Sequence, residues 1–367
     1  MKTTSTLSKA SFAAAVVDDL WLPQRFRELD VETTIVKSQS FQRHSVRGVA
    51  RDFALPITFT PFASVAPCTA RCKFCSEALL YKHATQLSAS LRPGAGYGAQ
   101  LRSVFSELRG LPLGLSLSGL EATMGVDWLL DVLQASREFQ GEGGEFDEKI
   151  LYSNGTGLAP QVDSSREVLM ALASLGLDRV EMSRHSPDQL RNDAIMNYRP
   201  GVAVAATEVF ESAVRQALEH VPVKLVCVVQ RRGVDSIETV ERYLEWASRL
   251  GVKTVVFREL SRLHDLYKPN VTSKYVEEAR VPIEPLVDGA VRVGSGFRPV
   301  ELTEGYYYWN LRCRWENKLD VIFETSDYAR MKSSHRSDAV YKLVFHANGN
   351  LCADWDPNTH ILMKAAE

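Results

Sequence analysis

The sequence lacks the features of a membrane protein and of a nucleic-acid-binding protein. No apolar run approaches the ~20 residues that a helix needs to cross a bilayer. The 367 residues include 43 basic and 45 acidic side chains, which gives a formal net charge of −2. No overall cationic field would therefore attract nucleic acid. Because 45% of the residues are apolar, the chain can bury a substantial core, and we expect a soluble globular protein.

Cysteine is scarce and unevenly placed. Three of the six cysteines lie in one short segment, and the other three are scattered. They are Cys68, Cys72 and Cys75 in the segment, and Cys227, Cys313 and Cys352 elsewhere. This distribution does not resemble the disulfide framework of a secreted protein. We therefore expect the protein to work in a reducing, cytoplasmic setting.

From the sequence we predict neither a signal peptide nor a phosphate-binding loop. The apolar run at 12–17 is short and leads directly into Asp18 and Asp19, so we interpret it as the start of a helix rather than as a signal peptide. The glycine-rich segment 94–98 lacks the Lys-Ser/Thr ending of a P-loop. We interpret that segment as a loop.

Strand-like and helix-like segments alternate after residue 50, which is typical of a parallel β/α architecture. The clearest helical pattern is 236–250, where Ser236 can cap the first turn. The other predicted helices cover 126–139, 164–175 and 205–219. The predicted strands cover 55–62, 113–118, 149–153, 179–183, 223–229 and 254–258. Six units are fewer than a closed barrel contains, so the pattern predicts an α/β fold with a partial (β/α)6 TIM-like barrel. Active-site loops follow the C-terminal ends of the strands in such barrels.

The region 266–367 has a different pattern. Its strand candidates at 306–315, 319–324 and 341–346 are rich in aromatic residues, and Asn348-Gly349 is a two-residue hairpin signal. We predict a C-terminal antiparallel β/α cap over the barrel mouth, which would keep water away from a reactive intermediate. The predicted domains are an N-terminal helical extension at 1–50, the barrel at 51–265 and the cap or substrate region at 266–367.

The three clustered cysteines follow the first predicted strand with the spacing Cys-x3-Cys-x2-Cys, and Phe74 precedes the last of them. A cubane iron–sulfur cluster normally takes four thiolates, so three thiolates leave one iron with an open site that can bind a cofactor directly. A structural zinc site would usually need a fourth ligand in a paired arrangement. A zinc site and three unrelated buried thiols are the alternatives.

This motif, placed after the first strand, resembles that of the radical S-adenosylmethionine (SAM) superfamily. Over residues 54–262 the pattern resembles the branch that contains the molybdenum-cofactor cyclase. The resemblance implies that Cys68, Cys72 and Cys75 hold a [4Fe–4S] cluster whose fourth iron binds SAM. It also implies an external electron donor such as flavodoxin or ferredoxin. One electron cleaves SAM to a 5′-deoxyadenosyl radical, which removes a hydrogen atom from a substrate, while the protein binds, orients and shields the cofactors.

The resemblance further implies a set of SAM contacts at the strand ends. Ser118-Gly119-Leu120-Glu121 resembles a Gly-Gly-Glu motif that receives the SAM ammonium group, with Leu120 in place of the second glycine. Arg184 is the candidate partner of the SAM carboxylate, because a guanidinium offers two matching donors. The other implied contacts are Ser153, Asn154 and Ser183 for the ribose hydroxyls, and Phe74, Val229 and Leu260 beside adenine. A turn, capping or packing role is the alternative for each of these residues.

Three further residues are candidates for substrate contact or proton transfer. Arg258 and Glu259 end the sixth strand, where they could bind substrate or pair with each other as a structural ion pair. His185 lies beside Arg184 and is of the residue type that transfers protons near neutral pH. A structural role is the alternative for this histidine.

We therefore predict a radical SAM enzyme that acts on a small polar metabolite, such as a sugar, nucleoside or amino-acid derivative, in a biosynthetic pathway. One alternative is the modification of a ribosomally made peptide, which a second cluster at Cys227, Cys313 and Cys352 would support. Alternatively, one of these cysteines could deliver a hydrogen atom to a substrate radical, or all three could have a purely structural role. A non-catalytic iron–sulfur or zinc module is the remaining alternative.

Overall fold

The structure is a computed structural model that describes residues 22–35, 40–63, 65–80, 82, 92–263, 265 and 267–365. These ranges contain one mixed sheet of fourteen strands. The strands are β1 Glu32–Ile35, β2 Ser40–Val46, β3 Val49–Phe62, β4 Leu113–Leu117, β5 Phe146–Ser153, β6 Arg179–Ser183, β7 Val223–Val229, β8 Thr254–Glu259, β9 Phe297–Glu304, β10 Tyr308–Trp315, β11 Leu319–Ser326, β12 Ala339–His346, β13 Leu351–Cys352 and β14 Ile361–Met363. The α-helices of the described ranges are α1 Gln24–Arg27, α2 Tyr97–Glu107, α3 Val126–Gly141, α4 Ser165–Ser174, α5 Gln189–Met196, α6 Thr207–Leu218, α7 Ile237–Leu250, α8 Val271–Ala279, α9 Glu284–Ala290 and α10 Tyr328–Ser334.

Eight parallel strands form the centre of this sheet. Their order is β11, β8, β7, β6, β5, β4, β3 and β12. Strands β3 to β8 are the six that the sequence predicts, and helical connections join them, as parallel neighbours require. The predicted α/β fold with a partial barrel is therefore confirmed.

The C-terminal strands extend the same sheet at both edges. β11 pairs in parallel with β8, and β10 and β9 continue antiparallel beyond it. At the opposite edge β12 pairs in parallel with β3, and the Asn348-Gly349 turn leads into β13, which pairs antiparallel with β12. The predicted antiparallel strands and hairpin are thus present, and they continue the barrel sheet.

Local sequence signals explain where the helices begin and end. At the start of α7, Ser236 and Thr239 form a reciprocal capping box, and Gly251 ends the helix with φ of +84°. This left-handed conformation suits glycine, which has no Cβ. None of the helices within the described ranges has the length and apolar character that a membrane span requires.

The parallel strands have two different faces, because successive side chains on a strand point to opposite sides. We call the side that packs against the helices the outer face. It carries Leu115, Leu225 and Phe257, all of which are buried. We call the opposite side the inner face; there Thr58 is exposed even though β3 has partners on both sides. Solvent therefore reaches the inner face at this position.

The predicted N-terminal helical extension lies partly outside the described residues, since 1–21 and 36–39 are not among them. The described part of 22–50 contains the short helix α1, strands β1 and β2, and the first residues of β3. β1 pairs with β9, and β2 pairs with β3. The division into three domains stays a prediction.

Candidate active site

The three clustered cysteines lie at the C-terminal end of the parallel strands, in residues 67–75, which we call the cysteine loop. Its backbone is docked on the C-terminal end of α5. The amide of Arg71 donates to the Met196 carbonyl at 3.1 Å, and the amide of Lys73 donates to the Ile195 carbonyl at 3.1 Å. These bonds give the loop a fixed conformation without the help of regular secondary structure.

Arg199 holds the same loop from the side. Its backbone amide donates to the Thr69 carbonyl at 2.9 Å. Its Nε atom donates to the Cys68 carbonyl at 2.7 Å. Arg199 was not predicted, because its distance from the cysteines along the chain gives no hint of this contact.

Cys68, Cys72 and Cys75 are half-buried and line one cavity of about 880 Å³. Leu120, from the loop after β4, lines the same cavity. Each thiolate of a cubane binds a different iron, so the three sulfurs need to border a common space rather than meet at one point. Within the described ranges, no three potential metal ligands are grouped tightly enough to hold a single ion. The arrangement fits a cluster that occupies the cavity.

Burial controls the protonation of these thiols. It raises the pKa of Cys68 to about 11, and it also raises the pKa of Cys72 and of Cys75. The metal-free thiols are therefore protonated at neutral pH. Because iron binds the thiolate, cluster assembly must release these protons.

Glu121 lies at the end of β4 and is held by three donors. The hydroxyls of Thr123 and Ser153 donate to Oε1 at 2.5 and 2.7 Å, and the amide of Asn154 donates to Oε2 at 2.6 Å. Burial raises the pKa of this carboxyl group, and these hydrogen bonds oppose the shift. The backbone amide of Thr123 also hydrogen-bonds this carboxyl group and lowers its pKa, so donors surround the carboxylate.

Asn154 links the Glu121 network to the cysteine loop. Its side-chain amide donates to Thr69 Oγ1 at 2.9 Å and lies 3.8 Å from Cys68 Sγ. The side-chain carbonyl oxygen of Asn154 accepts a hydrogen bond from the hydroxyl of Thr156 at 2.6 Å. Glu121, Ser153 and Asn154, predicted separately from the sequence, are therefore brought together beside the cysteines. Thr69, Thr123 and Thr156 complete the network and were not predicted.

Gly119 and Leu120 both have left-handed backbone conformations. φ is +92° at Gly119 and +52° at Leu120. A Cβ atom on Gly119 would lie 1.9 Å from Phe62 Cε2, so only glycine fits there. Leu120 occupies a conformation that is uncommon for a side chain with a Cβ, and its side chain borders the cavity.

An apolar patch lies next to the cysteine loop. Leu260 is 6% exposed and packs in one small cluster with the ring of Phe74. The other members of this cluster are Val228, Leu263, Tyr275, Val276 and Ala279. Two of the three residues predicted to contact adenine are thus neighbours. Val229 lies at the end of β7 with its side chain in the main core.

His185 supports this patch and is not placed for proton exchange with solvent. Its ring meets that of Phe74 edge to face, with centroids 4.8 Å apart. The Val228 amide donates to Nδ1 at 3.0 Å, which assigns the proton of the neutral ring to Nε2. Burial lowers the pKa of His185 to about 3, and the nearby Arg184 adds to this effect.

Arg184 does not point into the cysteine cavity. The fully buried guanidinium donates to the Val204 carbonyl at 3.0 Å and to Thr207 Oγ1 at 2.8 Å. It also lies over the ring of Phe210, 5.0 Å from the centroid. These contacts belong to the packing of β6 against α6 on the outer face. Ser183, one residue earlier, is half-buried on the inner face.

Arg258 and Glu259 point to opposite faces of β8, so they do not pair with each other. On the inner face, Arg258 donates to Glu324 at 2.8 Å and lies 3.9 Å from Glu181. On the outer face, Glu259 accepts hydrogen bonds from Arg280 and Thr325. Burial raises the pKa of Glu259 to about 7, although Arg280 opposes the shift.

The remaining cysteines are separated in the fold. Cys227, Cys313 and Cys352 lie in β7, β10 and β13, and all three are fully buried. Burial raises the pKa of Cys313 and of Cys352 to about 12. Buried thiols with raised pKa are poor nucleophiles and typical packing residues.

No protein-family model matches this chain, and no curated protein matches it. Solved structures do match. SuiB of Streptococcus suis bound to S-adenosylmethionine has a TM-score of 0.51 and 12% identity, over 82% of this chain and 61% of SuiB. Coproporphyrinogen III oxidase (HemN) from Escherichia coli, described as a radical SAM enzyme, has a TM-score of 0.42 and 11% identity, over 66% of this chain and 53% of HemN.

A third match is native anSMEcpe with bound AdoMet, at a TM-score of 0.40 and 16% identity, over 55% of this chain and 51% of that protein. This chain therefore spans between about half and three fifths of the length of these solved structures. The likeness to SuiB shows the fold. This chain therefore shares its partial β/α barrel fold with SuiB.

Proposed function

We propose that this chain is a radical SAM enzyme that acts on a small polar metabolite in a biosynthetic pathway. The observation that carries the proposal is the cavity that Cys68, Cys72 and Cys75 line at the C-terminal end of the barrel strands. The Glu121 network lies beside it. Parallel barrels place their active sites at this end.

The [4Fe–4S] cluster and SAM, when bound, supply the 5′-deoxyadenosyl radical that abstracts a hydrogen atom from the substrate. Cys68, Cys72 and Cys75 would hold the cluster, and the hydrogen bonds from the end of α5 and from Arg199 keep these residues in place. The chain's own contribution is to bind, orient and shield.

Glu121 is the proposed acceptor for the SAM ammonium group. The carboxylate is held rigidly by donors from three residues and lies beside the cysteine loop through Asn154. Gly119 and Leu120 would offer backbone groups to the same ligand. The Ser153 hydroxyl already donates to Glu121, and Asn154 bridges to Thr69, so we propose that both position the site. Ser183, half-buried on the inner face, stays a candidate for the ribose.

Phe74 and Leu260 are proposed to contact adenine, because they form an apolar patch beside the cysteines. Val229 would take part through its backbone. His185 packs against the Phe74 ring, so we propose that it positions this ring as a neutral imidazole. For Arg184 we propose a structural role, since its guanidinium is bound to the chain that precedes α6 and to Thr207.

The inner face supports the choice of a small polar substrate. Arg258, Glu324 and Glu181 form a charged layer there, joined by Arg179, which donates to Glu181 at 2.8 Å. Positive and negative groups are interleaved in this layer, which suits a polar ligand of low net charge such as a sugar, nucleoside or amino-acid derivative. Glu259 lies on the outer face, so we propose that it stabilises β8 and β11 through Thr325.

The test is anaerobic reconstitution with iron and sulfide, reduction, and measurement of 5′-deoxyadenosine after SAM is added. We expect about four irons per chain and formation of 5′-deoxyadenosine. Full iron occupancy with no 5′-deoxyadenosine would instead indicate a non-catalytic iron–sulfur module. About eight irons per chain would favour modification of a ribosomally made peptide. We further propose an external electron donor and a cytoplasmic location.

A further inference from the structure

The amide group of the Asn154 side chain has a defined orientation. Its oxygen accepts a hydrogen bond from the backbone amide of Thr156 at 3.0 Å. Because a backbone amide can only donate, this contact distinguishes the side-chain oxygen from the side-chain nitrogen. The NH2 group therefore faces the cysteine loop, where its nitrogen lies 2.9 Å from Thr69 Oγ1 and 3.8 Å from Cys68 Sγ. An NH2 group has two protons, so it can donate to both atoms.

The contact with Cys68 distinguishes this sulfur from those of the other two clustered cysteines. Among the side chains that the structure describes, only Asn154 donates a hydrogen bond to one of the three sulfurs. Cys75 is hydrogen-bonded by backbone amides of the residues that follow it. Cys72 Sγ lies 3.5 Å from the thioether sulfur of Met196, which has no proton to donate. A substitution at Asn154 can therefore remove a donor from one proposed cluster ligand without altering a cysteine.

The surroundings of Cys68 give this hydrogen bond an electrostatic role. Asn154 is 7% exposed, and a hydrogen bond that is shielded from water is electrostatically stronger than an exposed one. The negative charge of Glu121 acts on Cys68 in the opposite direction and helps to raise its pKa. The same repulsion disfavours the addition of an electron to a cluster that Cys68 holds. A proton donor at the Cys68 sulfur offsets this effect.

We propose that Asn154 raises the reduction potential of the cluster by donating a hydrogen bond to the Cys68 sulfur. This inference rests on the proposed function in one respect, because it requires a [4Fe–4S] cluster at the three cysteines. Hydrogen bonds to the sulfurs are among the factors that set the potential of such clusters. Reduction adds one negative charge, part of which the thiolates carry, so a donor stabilises the reduced form more than the oxidised form. The electron comes from the external donor, which is oxidised by one electron, and Asn154 itself is unchanged.

The test is a redox titration of the reconstituted protein without SAM, followed by the electron paramagnetic resonance signal of the reduced cluster. Asn154→Leu keeps the approximate size of the side chain and removes the donor. Its equilibrium constant for reduction should fall about tenfold, which lowers the midpoint potential by about 59 mV. Asn154→Asp should lower the potential further, because it also adds a negative charge. A wild-type potential in both variants would overturn the proposal.

Thr156→Val is the matched control. It removes the hydroxyl group that contacts both the Asn154 oxygen and Thr69 Oγ1, but the backbone amide of residue 156 still holds the Asn154 oxygen. The contact between the Asn154 nitrogen and Cys68 should therefore remain, and the potential should stay close to that of the wild-type protein. A decrease as large as that of Asn154→Leu would overturn the proposal, since it would show that the potential follows the geometry of the network rather than the donor.

A measurement on the wild-type protein covers the case in which both Asn154 variants fail to assemble a cluster. Pulsed electron paramagnetic resonance of the reduced protein, isotopically labelled at the asparagine nitrogens, should show a weak coupling between an asparagine nitrogen and the cluster. The absence of this coupling would overturn the proposal. Failure of the proposed function would appear separately, as a wild-type protein without a cluster or as no 5′-deoxyadenosine, because the potentials are measured without SAM.

Discussion

The outer and inner faces of the parallel strands come from the same segments of sequence but have opposite chemistry. On the outer face, Leu225 and Phe257 are completely buried against the helices. On the inner face, the side chains of Arg258 and Glu324 remain 34% and 25% exposed. The outer face therefore stabilises the fold, which leaves the inner face and the strand ends free to carry a polar site.

The largest effect should come from the cysteines themselves. Cys72→Ala removes a proposed cluster ligand and should lower iron content and 5′-deoxyadenosine formation by on the order of a hundredfold. Cys313→Ala, in the buried outer layer, should keep its iron and lose only about 1 kcal/mol of unfolding free energy. Iron analysis and urea unfolding distinguish the two. Equal iron loss in both variants would contradict the comparison.

Truncation of a large side chain should be costly on the outer face and tolerated on the inner face. Phe257→Ala should lower the free energy of unfolding by about 3–5 kcal/mol, because it leaves a cavity among buried neighbours. Thr58→Ala, at an exposed inner position, should change it by less than about 0.5 kcal/mol. Urea denaturation of the metal-free protein measures both. Similar losses would show that the inner face is packed.

Substitutions at two neighbouring residues test the steric constraints on the turn after β4. Gly119→Ala should destabilise the protein by at least about 2 kcal/mol, since it combines an unfavourable φ with a collision against Phe62. Leu120→Gly should change stability by less than about 1 kcal/mol, because relief of the left-handed backbone offsets the greater freedom of glycine in the unfolded chain. Thermal unfolding would decide, and a stable Gly119→Ala variant would be inconsistent with this geometry.

His185 should make the protein sensitive to acid. Its pKa is about 3 in the folded protein against an ordinary 6.5, so below pH 6.5 the unfolded chain binds a proton that the folded chain does not. The free energy of unfolding should therefore fall by about 2 kcal/mol between pH 7 and pH 5 on account of this residue. Urea unfolding at both pH values should show a smaller fall in His185→Gln. An identical fall would mean that His185 is not responsible.

The smallest effect concerns Glu121. Glu121→Gln keeps the size of the side chain but removes its charge, and it should weaken SAM binding by about tenfold, or about 1.4 kcal/mol. Glu142→Gln, at an exposed surface position, is the matched control and should bind SAM normally. Equilibrium dialysis of the reconstituted proteins provides the affinities. Unchanged affinity in Glu121→Gln would remove this residue from the proposed site.

The strand order of the barrel and the convergence of its loops were predictable from the sequence. Apolar periodicity predicts β3 to β8, and the parallel arrangement brings the residues after β4 and β5 to the cysteine loop. Glu121, Ser153 and Asn154, which lie at or after the ends of these strands, were implied by the resemblance to the radical SAM superfamily. Thr69 and Arg199 were not, because their hydrogen bonds depend on the path of an irregular loop, which no periodicity predicts.

The face of the sheet to which a side chain points was less predictable than the position of that residue near a strand end. Arg184 and Arg258 both lie near strand ends, but the register places Arg184 on the outer face and Arg258 on the inner face. A pattern of strand residues does not fix this choice when the segment is short and the neighbouring residues are polar. Likewise, the pairing of β11 with β8 and of β12 with β3 joins residues far apart in sequence, so only the structure reveals that these strands extend the barrel sheet.

The proposal that one iron lacks a cysteine ligand and binds SAM is tested most directly by electron paramagnetic resonance of the reduced, reconstituted protein. The spectrum is recorded before and after SAM is added. If one iron has no cysteine ligand, SAM should bind there and change the shape of the cluster signal. We expect this change in the wild-type protein and a weaker response at equal SAM concentration in Glu121→Gln. A cluster signal that is identical with and without saturating SAM would contradict the proposed function.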